Sequence, residues 1–475
     1  MDCWEGRPMA QQQKFSIVSI SLFAGWLLTF LFEGEVLHHI IYASEAKGEL
    51  VGQLAIALHF AGLFSCGFLI KRTSSAKMVM LAGIVVCFAG SLIFLMPYSI
   101  LWYLSIVAMA YYSGLVIASW GYFFKWSTPR NRRLQTAADV LIFANLLMII
   151  INVITNHFSV YLGYGLSSAL LLLSIPFIYR LETEVDIDQS ESEVLENPVV
   201  KDTMMKPFAY LCLFIVIITI NSGIMYQVVR PAFSHLQLLT TYYWAVPYVL
   251  ALIILRSLPR GFNRAYALYV ALAMMGVSYL LFMAMDTTVT TYLMVNTLML
   301  GAFGVFDLFW WSLIGDFLDS SKEAAKVMGI GLSMNVLGIL LGGMAGSLMN
   351  TAARQPHEVS LIALGVVFVV IVMMPVLNSQ LNRFFEDHAF VMKLAREIES
   401  DESIDPLETF KNTYQLTERE GEIIDLLVQG YTYKGISEKL VVSENTIKFH
   451  SRNIYQKLQI NNKMELIKLI NQQLK

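Results

Sequence analysis

Asn445, Thr446, Lys448, Phe449 and Arg452 lie within one short stretch and carry the groups that read base-pair edges. Amides and hydroxyls can bond base atoms, lysine and arginine suit guanine, and an apolar ring can meet a thymine methyl. At helical spacing, Ile447, Ser451, Ile454 and Leu458 form one inward face, and Asn445, Lys448, Phe449, Arg452 and Gln456 face the other way. From 445 to 463 there are four Lys or Arg plus His450, and no Asp or Glu. A merely solvated face mixes signs. A helix with a basic outward face and with amide and hydroxyl groups near its start can lie in the major groove of DNA.

The elements that must hold this helix lie upstream. Thr417-Glu-Arg-Glu420 is a capping box, in which the Thr417 hydroxyl and the Glu420 carboxylate satisfy free amides at a helix start. Ile423, Ile424, Leu427 and Val428 give that helix its apolar side, and Gly430 ends it. A second helix over about 432–440 adds Ile436 and Leu440 to the core. Val441-Val-Ser443 turns the chain, and Ser443 can N-cap the groove-facing helix. A fourth helix over about 463–474 presents Met464, Ile467, Ile470 and Leu474, a stripe suited to pairing with a second copy. Nine Lys or Arg against seven Asp or Glu in 413–475 leave only +2, so non-specific DNA affinity should be modest and lost readily with salt.

These residues resemble the LuxR-type helix-turn-helix family over 416–469: Leu416-Thr-Glu-Arg-Glu-Gly-Glu, Gly430, Lys434, Ile436, Val442-Ser-Glu-Asn-Thr-Ile-Lys-Phe-His and Asn453-Ile-Tyr-Gln-Lys-Leu. The resemblance implies that Lys448, Phe449 and Arg452 reach base edges, that Lys434 and Thr446 help hold phosphates, and that the fourth helix dimerises. Ser443 and Asn445 complete the expected DNA-binding set. The pattern departs at Tyr433, Gly435 and Ser437, where Asn, Glu and Ala are usual; Gly435 should cost its helix about 1 kcal/mol relative to Ala.

The rest of the chain is of another kind. Of 475 residues, 56% are hydrophobic and 15% charged, and the mean hydropathy is +0.58. The net charge of −3 says little about partners, because the charges are segregated along the chain. Cys3, Cys66, Cys87 and Cys212 show no C-x-x-C spacing, and three sit in apolar runs as expected of small buried hydrophobes. The run 15–32 is about long enough to cross a ~30 Å hydrocarbon core and has no small-x-small cleavage site after it, so it reads as a retained first span and not a signal peptide.

Spanning runs recur at about 15–32, 50–70, 78–96, 101–124, 138–155, 158–179, 207–229, 236–255, 262–285, 289–315, 327–350 and 358–377, with only Asn156-His157 between the fifth and sixth. With the N-terminus inside, seventeen Lys or Arg before residue 380 fall on the inner side, and Lys47, Arg230 and Arg354 fall outside. That bias places both termini in the cytoplasm, where DNA is, and the expected site is a bacterial inner membrane. The spans divide six and six around an acidic loop, and both halves carry a basic, turn-prone link between their second and third spans.

This organisation resembles the major facilitator superfamily over roughly 15–377. The family's Gly-x-x-x-Asp-Arg-x-Gly-Arg-Arg pattern keeps Gly67 and Arg72, but Lys71 stands at the Asp position and Ser74 at the second Gly. That departure counts against active transport and leaves the fold untouched. In the resembled fold the first, fourth, seventh and tenth spans line a cavity. Those spans hold Trp26, Tyr111, Tyr112, Tyr226, Gln227, Asp307, Trp310 and Trp311, a mostly apolar set suited to a small organic ligand. Asp307 is the mid-span ionisable group; it is either a structural carboxyl bonded to a neighbouring span or a ligand or proton contact. Asp139 and Asp316 lie nearer the inner ends, and Arg230 either snorkels or receives an anion. Glu33, Glu35, His38 and His39 bunch after the first span, a weak pattern for metal, and none is expected.

The expectation is an all-α chain: a twelve-helix transmembrane bundle of two six-span halves plus a small four-helix helix-turn-helix domain. Its parts are 1–14, a cytoplasmic start; 15–179 and 207–377, the two halves; 180–206, a central loop; 378–412, a juxtamembrane helix and linker broken at Pro406; and 413–475, the DNA-binding domain. No phosphate loop, Ser/His/Asp set or paired catalytic carboxylates appear, so neither enzyme chemistry nor a cofactor is expected. The expected partners are DNA, membrane, an unknown small molecule and a second copy. The leading function is a one-component transcription regulator that senses a small molecule through its spans. The alternatives are a secondary transporter with a regulatory DNA-binding tail, and a tail that binds protein.

Overall fold

In the computed structural model, the structure describes residues 6–32, 34–42, 48–183, 198–258, 264–351, 356–399, 410–411, 413–414, 416–428, 433–460, 465–466 and 469. The expected linker break at Pro406, the helix-ending Gly430, Lys47, Arg354, Glu33 and most of the fourth tail helix lie outside them. So do residues 184–197 of the central loop and 259–263 of the second basic link.

Among the described residues, twelve helices are long and apolar enough to cross a membrane: α1 (Met9–Ile41), α2 (Gly52–Leu69), α3 (Thr73–Ile93), α4 (Ile100–Ser127), α5 (Arg130–His157), α6 (Val160–Tyr179), α7 (Met204–Ala232), α8 (Gln237–Arg256), α9 (Tyr266–Ala284), α10 (Val289–Ser320), α11 (Ala324–Met349) and α12 (His357–Asn382). Only helices satisfy every backbone group in hydrocarbon without outside partners, which is why apolar runs of this length fold so. Among the described residues no strand occurs.

Boundaries shift where local chemistry differs from hydropathy. The third span starts at Thr73, because polar Ser74 and Ser75 sit in its first turn, and only Ile70–Arg72 link it to α2. The break between α5 and α6 falls at Phe158–Ser159, whose amides both bond back to the Ile154 carbonyl. The helix that carries α7 begins at Pro198, inside the expected central loop, as suits proline at a helix start. The helix that carries α12 runs unbroken from Pro356 to Glu399, 44 residues in all, so the juxtamembrane helix is its direct continuation.

The chain forms two compact units, Met1–Val185 with Ala209–Leu377, and Asp186–Phe208 with Asn378–Lys475. Within the first, helices cross where glycine lets backbones meet. A Cβ on Gly329 of α11 would come 2.3 Å from the Leu63 carbonyl of α2, and one on Gly114 of α4 would come 2.5 Å from that of His59. At the end where α1 begins, polar pairs join the six-helix halves. Arg133 forks onto Asp319 and also reaches the Gly315 carbonyl, with its side chain only 3% exposed. Asp139 pairs with Arg256, and Lys125 donates to the Ser321 carbonyl at 2.9 Å. At the opposite end the Tyr242 ring stacks on His157, with its hydroxyl 2.8 Å from Nε2. Cys66, Cys87 and Cys212 are buried free thiols.

Candidate nucleic-acid interface

Three described helices of the tail position the reading face: α13 (Glu418–Val428), α14 (Tyr433–Lys439) and α15 (Glu444–Lys457). Ile423, Ile424 and Leu427 of α13 meet Ile436 of α14 and Ile447, Ile454 and Leu458 from α15 and its end, with Phe410 and Leu466 closing the core. Both bonds of the capping box form: the Thr417 amide donates to Glu420 at 2.8 Å, and the Glu420 amide donates to the Thr417 hydroxyl at 3.3 Å.

The same Glu420 carboxylate takes the Lys457 ammonium at 2.8 Å, which ties the start of α13 to the last turn of α15. Burial alone would raise the Glu420 pKa; Lys457 and the Thr417 donors outweigh it and hold the group below its ordinary value. Arg419 donates to the Leu440 carbonyl at 3.1 Å, satisfying an acceptor past the end of α14. Tyr433, one of the departures from the family pattern, bonds Tyr455 across α14 and α15 with 3.1 Å between hydroxyls, and burial together with Tyr433 pushes the Tyr455 phenol up.

Val441 turns the chain between α14 and α15 with φ 53°, in the left-handed region, and stands almost fully in solvent. Ser443 then caps α15, accepting from the Thr446 amide at 3.1 Å, with the two hydroxyls 2.8 Å apart. Ile447, Ser451 and Ile454 are buried, while Asn445, Lys448, Phe449 and Arg452 are exposed together on the opposite side. Phe449 is 62% exposed among these polar groups. Thr446 is half-buried at the edge of this face, and Lys434 sits in α14 away from it in sequence. Sequence reasoning missed Glu444: its carboxylate holds the Lys448 ammonium at 2.7 Å, a contact that the i, i+4 spacing of opposite charges signals.

The ligand candidates in the first unit are differently placed. Trp26 is fully buried and stacks on Phe30, whose ring meets Phe94 and Tyr164 of the same half. Tyr111 bonds Ser65 of α2 at 3.0 Å, and Tyr112 meets its ring edge-on. Asp307 accepts from the Tyr248 hydroxyl of α8 at 2.6 Å, and buried Trp310 neighbours Trp311, which packs on Trp120 of α4. Tyr226 and Gln227 lie in a wide π-helical turn, Met225–Val229, and Gln227 backs onto Gly346 of α11. A matching turn, Leu27–Phe32, follows Trp26 in α1. Arg230 lies over the Trp244 ring at 5.0 Å. His39, from the Glu33–His39 group, bonds Asn156 at 2.7 Å.

Residues 414–470 match the family described as bacterial regulatory proteins, luxR family. The HTH-type transcriptional regulator MalT of Vibrio campbellii is 33% identical over 90 residues, which is 19% of this chain and 9% of that protein. The transcriptional regulatory protein DegU of Brevibacillus brevis is 39% identical over 57 residues, 12% of this chain and 24% of that one. The chain thus spans less than a quarter of the length of either regulator. In fold, it is similar to the human organic anion transporter MFSD10 (TM-score 0.56, 14% identity, 78% of this chain and 99% of that one). It is also similar to the major facilitator transporter FucP in the outward conformation (TM-score 0.52, 14% identity, 77% and 98%). A bacterial homologue of the iron transporter ferroportin, in an outward-facing state, gives a TM-score of 0.58 at 14% identity over 78% and 99%. The chain therefore joins a membrane bundle of the major facilitator fold to a C-terminal LuxR-type helix-turn-helix domain.

Proposed function

We propose that this chain is a membrane-bound one-component transcription regulator whose spans respond to a small molecule and whose tail binds DNA as a homodimer. The observation that carries the reading is the outward face of α15, where Asn445, Lys448, Phe449 and Arg452 are exposed together on a helix fixed from behind by its core, on the same chain as twelve spans. The bias of Lys and Arg along the chain supports cytoplasmic termini in a bacterial inner membrane. The π-helical turns in α1 and α7, the first spans of the two halves, support a ligand site between them, since π-turns inserted in α-helices frequently mark functional sites. A ligand that prefers one arrangement of the halves shifts their equilibrium, and α12 with its continuation is the covalent route to the tail.

Genome-wide occupancy of the tagged full-length chain tests this. The wild type is expected at discrete promoters, and Lys448→Ala with Arg452→Ala should lose them at unchanged membrane abundance. Occupancy unaffected by the pair would mean that the tail works by another surface.

A further inference from the structure

We propose that Glu444 is a specificity-determining residue of the DNA-binding face, acting by holding Lys448 away from indiscriminate phosphate contact. The inference rests on the DNA-binding reading and deepens it. The Glu444 carboxylate lies 2.7 Å from the Lys448 ammonium, and both side chains are about half exposed, at 43% and 54%. Asn445, Phe449 and Arg452 share the outward side with Lys448, so two cations serve the whole face and Glu444 neutralises one of them. Lysine reaches any phosphate as a point charge, whereas a guanine edge offers it two acceptors in fixed positions. On unmatched DNA, leaving Glu444 gives Lys448 one phosphate and puts a bare carboxylate beside the polyanion. On a matched site the guanine acceptors replace the lost partner, and the carboxylate can accept from a cytosine amino group. Glu444 thereby weakens the wrong complexes more than the right one. With only +2 over residues 413–475, one masked cation is a large share of the non-specific attraction.

The test is a salt titration of full-length protein in detergent against a fluorescent duplex of arbitrary sequence, for wild type, Glu444→Gln, Lys448→Met and the double variant. Glu444→Gln is expected to bind about threefold to tenfold tighter near 0.1 M salt, with a log–log salt slope steeper by about one. Lys448→Met should erase that gain, so the double variant matches the single Lys448 variant. An unchanged slope in Glu444→Gln, or an equal gain in both backgrounds, overturns the proposal. A wild type that binds no duplex even at low salt sinks the DNA-binding reading itself.

Discussion

The bundle and the tail use charge and aromatic rings in opposite ways. In the bundle several candidate groups are already engaged: Asp307 by Tyr248, Tyr111 by Ser65 and the Trp26 ring by Phe30. In the tail, Phe449 and Arg452 are held out in solvent by the core behind α15, and Lys448 is exposed beside them with Glu444 as its partner. Lipid offers no hydrogen bonds, so a span must satisfy its polar groups within the protein, and function there has to share residues with packing. A water-exposed domain can separate the two. The difference teaches where single substitutions report on function: α15 gives clean answers, and the bundle gives answers mixed with folding.

The largest effect expected from that contrast lies in the bundle. A leucine at Gly329 cannot be housed, because its Cβ alone would come 2.3 Å from the Leu63 carbonyl and 3.2 Å from the Ala118 Cβ. Gly329→Leu should prevent α2, α4 and α11 from closing together. Size-exclusion chromatography in mild detergent should show loss of the monodisperse peak. A normal peak would mean that these helices do not cross there.

Next comes the tail core. Ile447 and Ile454 are fully buried, and cutting either to alanine should cost about 2–5 kcal/mol. For so small a domain that is enough to unfold it. Ile454→Ala should therefore make the tail sensitive to brief trypsin treatment, while the thermal transition of the bundle stays in place. A joint shift of both would mean that the two units unfold together.

How far the sequence was readable follows the same division. The capping box at Thr417 and Glu420, the Ser443 cap and the inward face of Ile447, Ser451 and Ile454 all form as their spacing predicts, because each is a local relation within a turn or two of helix. Twelve spans were legible from hydropathy for the same reason. What spacing does not hold is partnership across helices. Asp319 turns out to take the Arg133 fork, and Lys457, read as part of a basic segment, is spent on Glu420. Neither pairing has a signature within its own helix. The ligand candidates follow from span number and residue type, and the structure gives Tyr111 and Asp307 partners on other helices of their own halves, and Trp26 a ring partner on its own helix.

The Glu420 carboxylate turns that hidden pairing into a pH dependence. Its pKa is held below the ordinary value near 4.5 in the folded tail, so folding favours the charged form. The stabilisation is present above the unfolded value and disappears as pH falls through the folded one. Acidification below about 4.5 should thus loosen the tail, and Glu420→Gln should lower its stability at neutral pH while flattening that acid response. Cleavage of the tail by a protease active in acid, measured at each pH from about 6 down to 3, checks it. An acid response of equal size in Glu420→Gln would assign it to other carboxylates.

The smallest effect is of opposite sign and tests how far the tail sacrifices stability for geometry. Val441 has a branched side chain at φ 53°, a conformation that crowds Cβ against the carbonyl, and at 90% exposure it buries nothing in return. Asparagine visits this region far more readily, so Val441→Asn should stabilise the tail by about 0.5–1 kcal/mol. Slower trypsin cleavage under mild urea would register that gain. Because the turn sets the angle at which α15 leaves α14, DNA binding separates two explanations for the valine. If Val441→Asn is more stable and binds as before, the strain is incidental. If stability rises and binding falls, the strained turn serves the reading face, through the angle it gives α15 or through the exposed side chain beside its capped start.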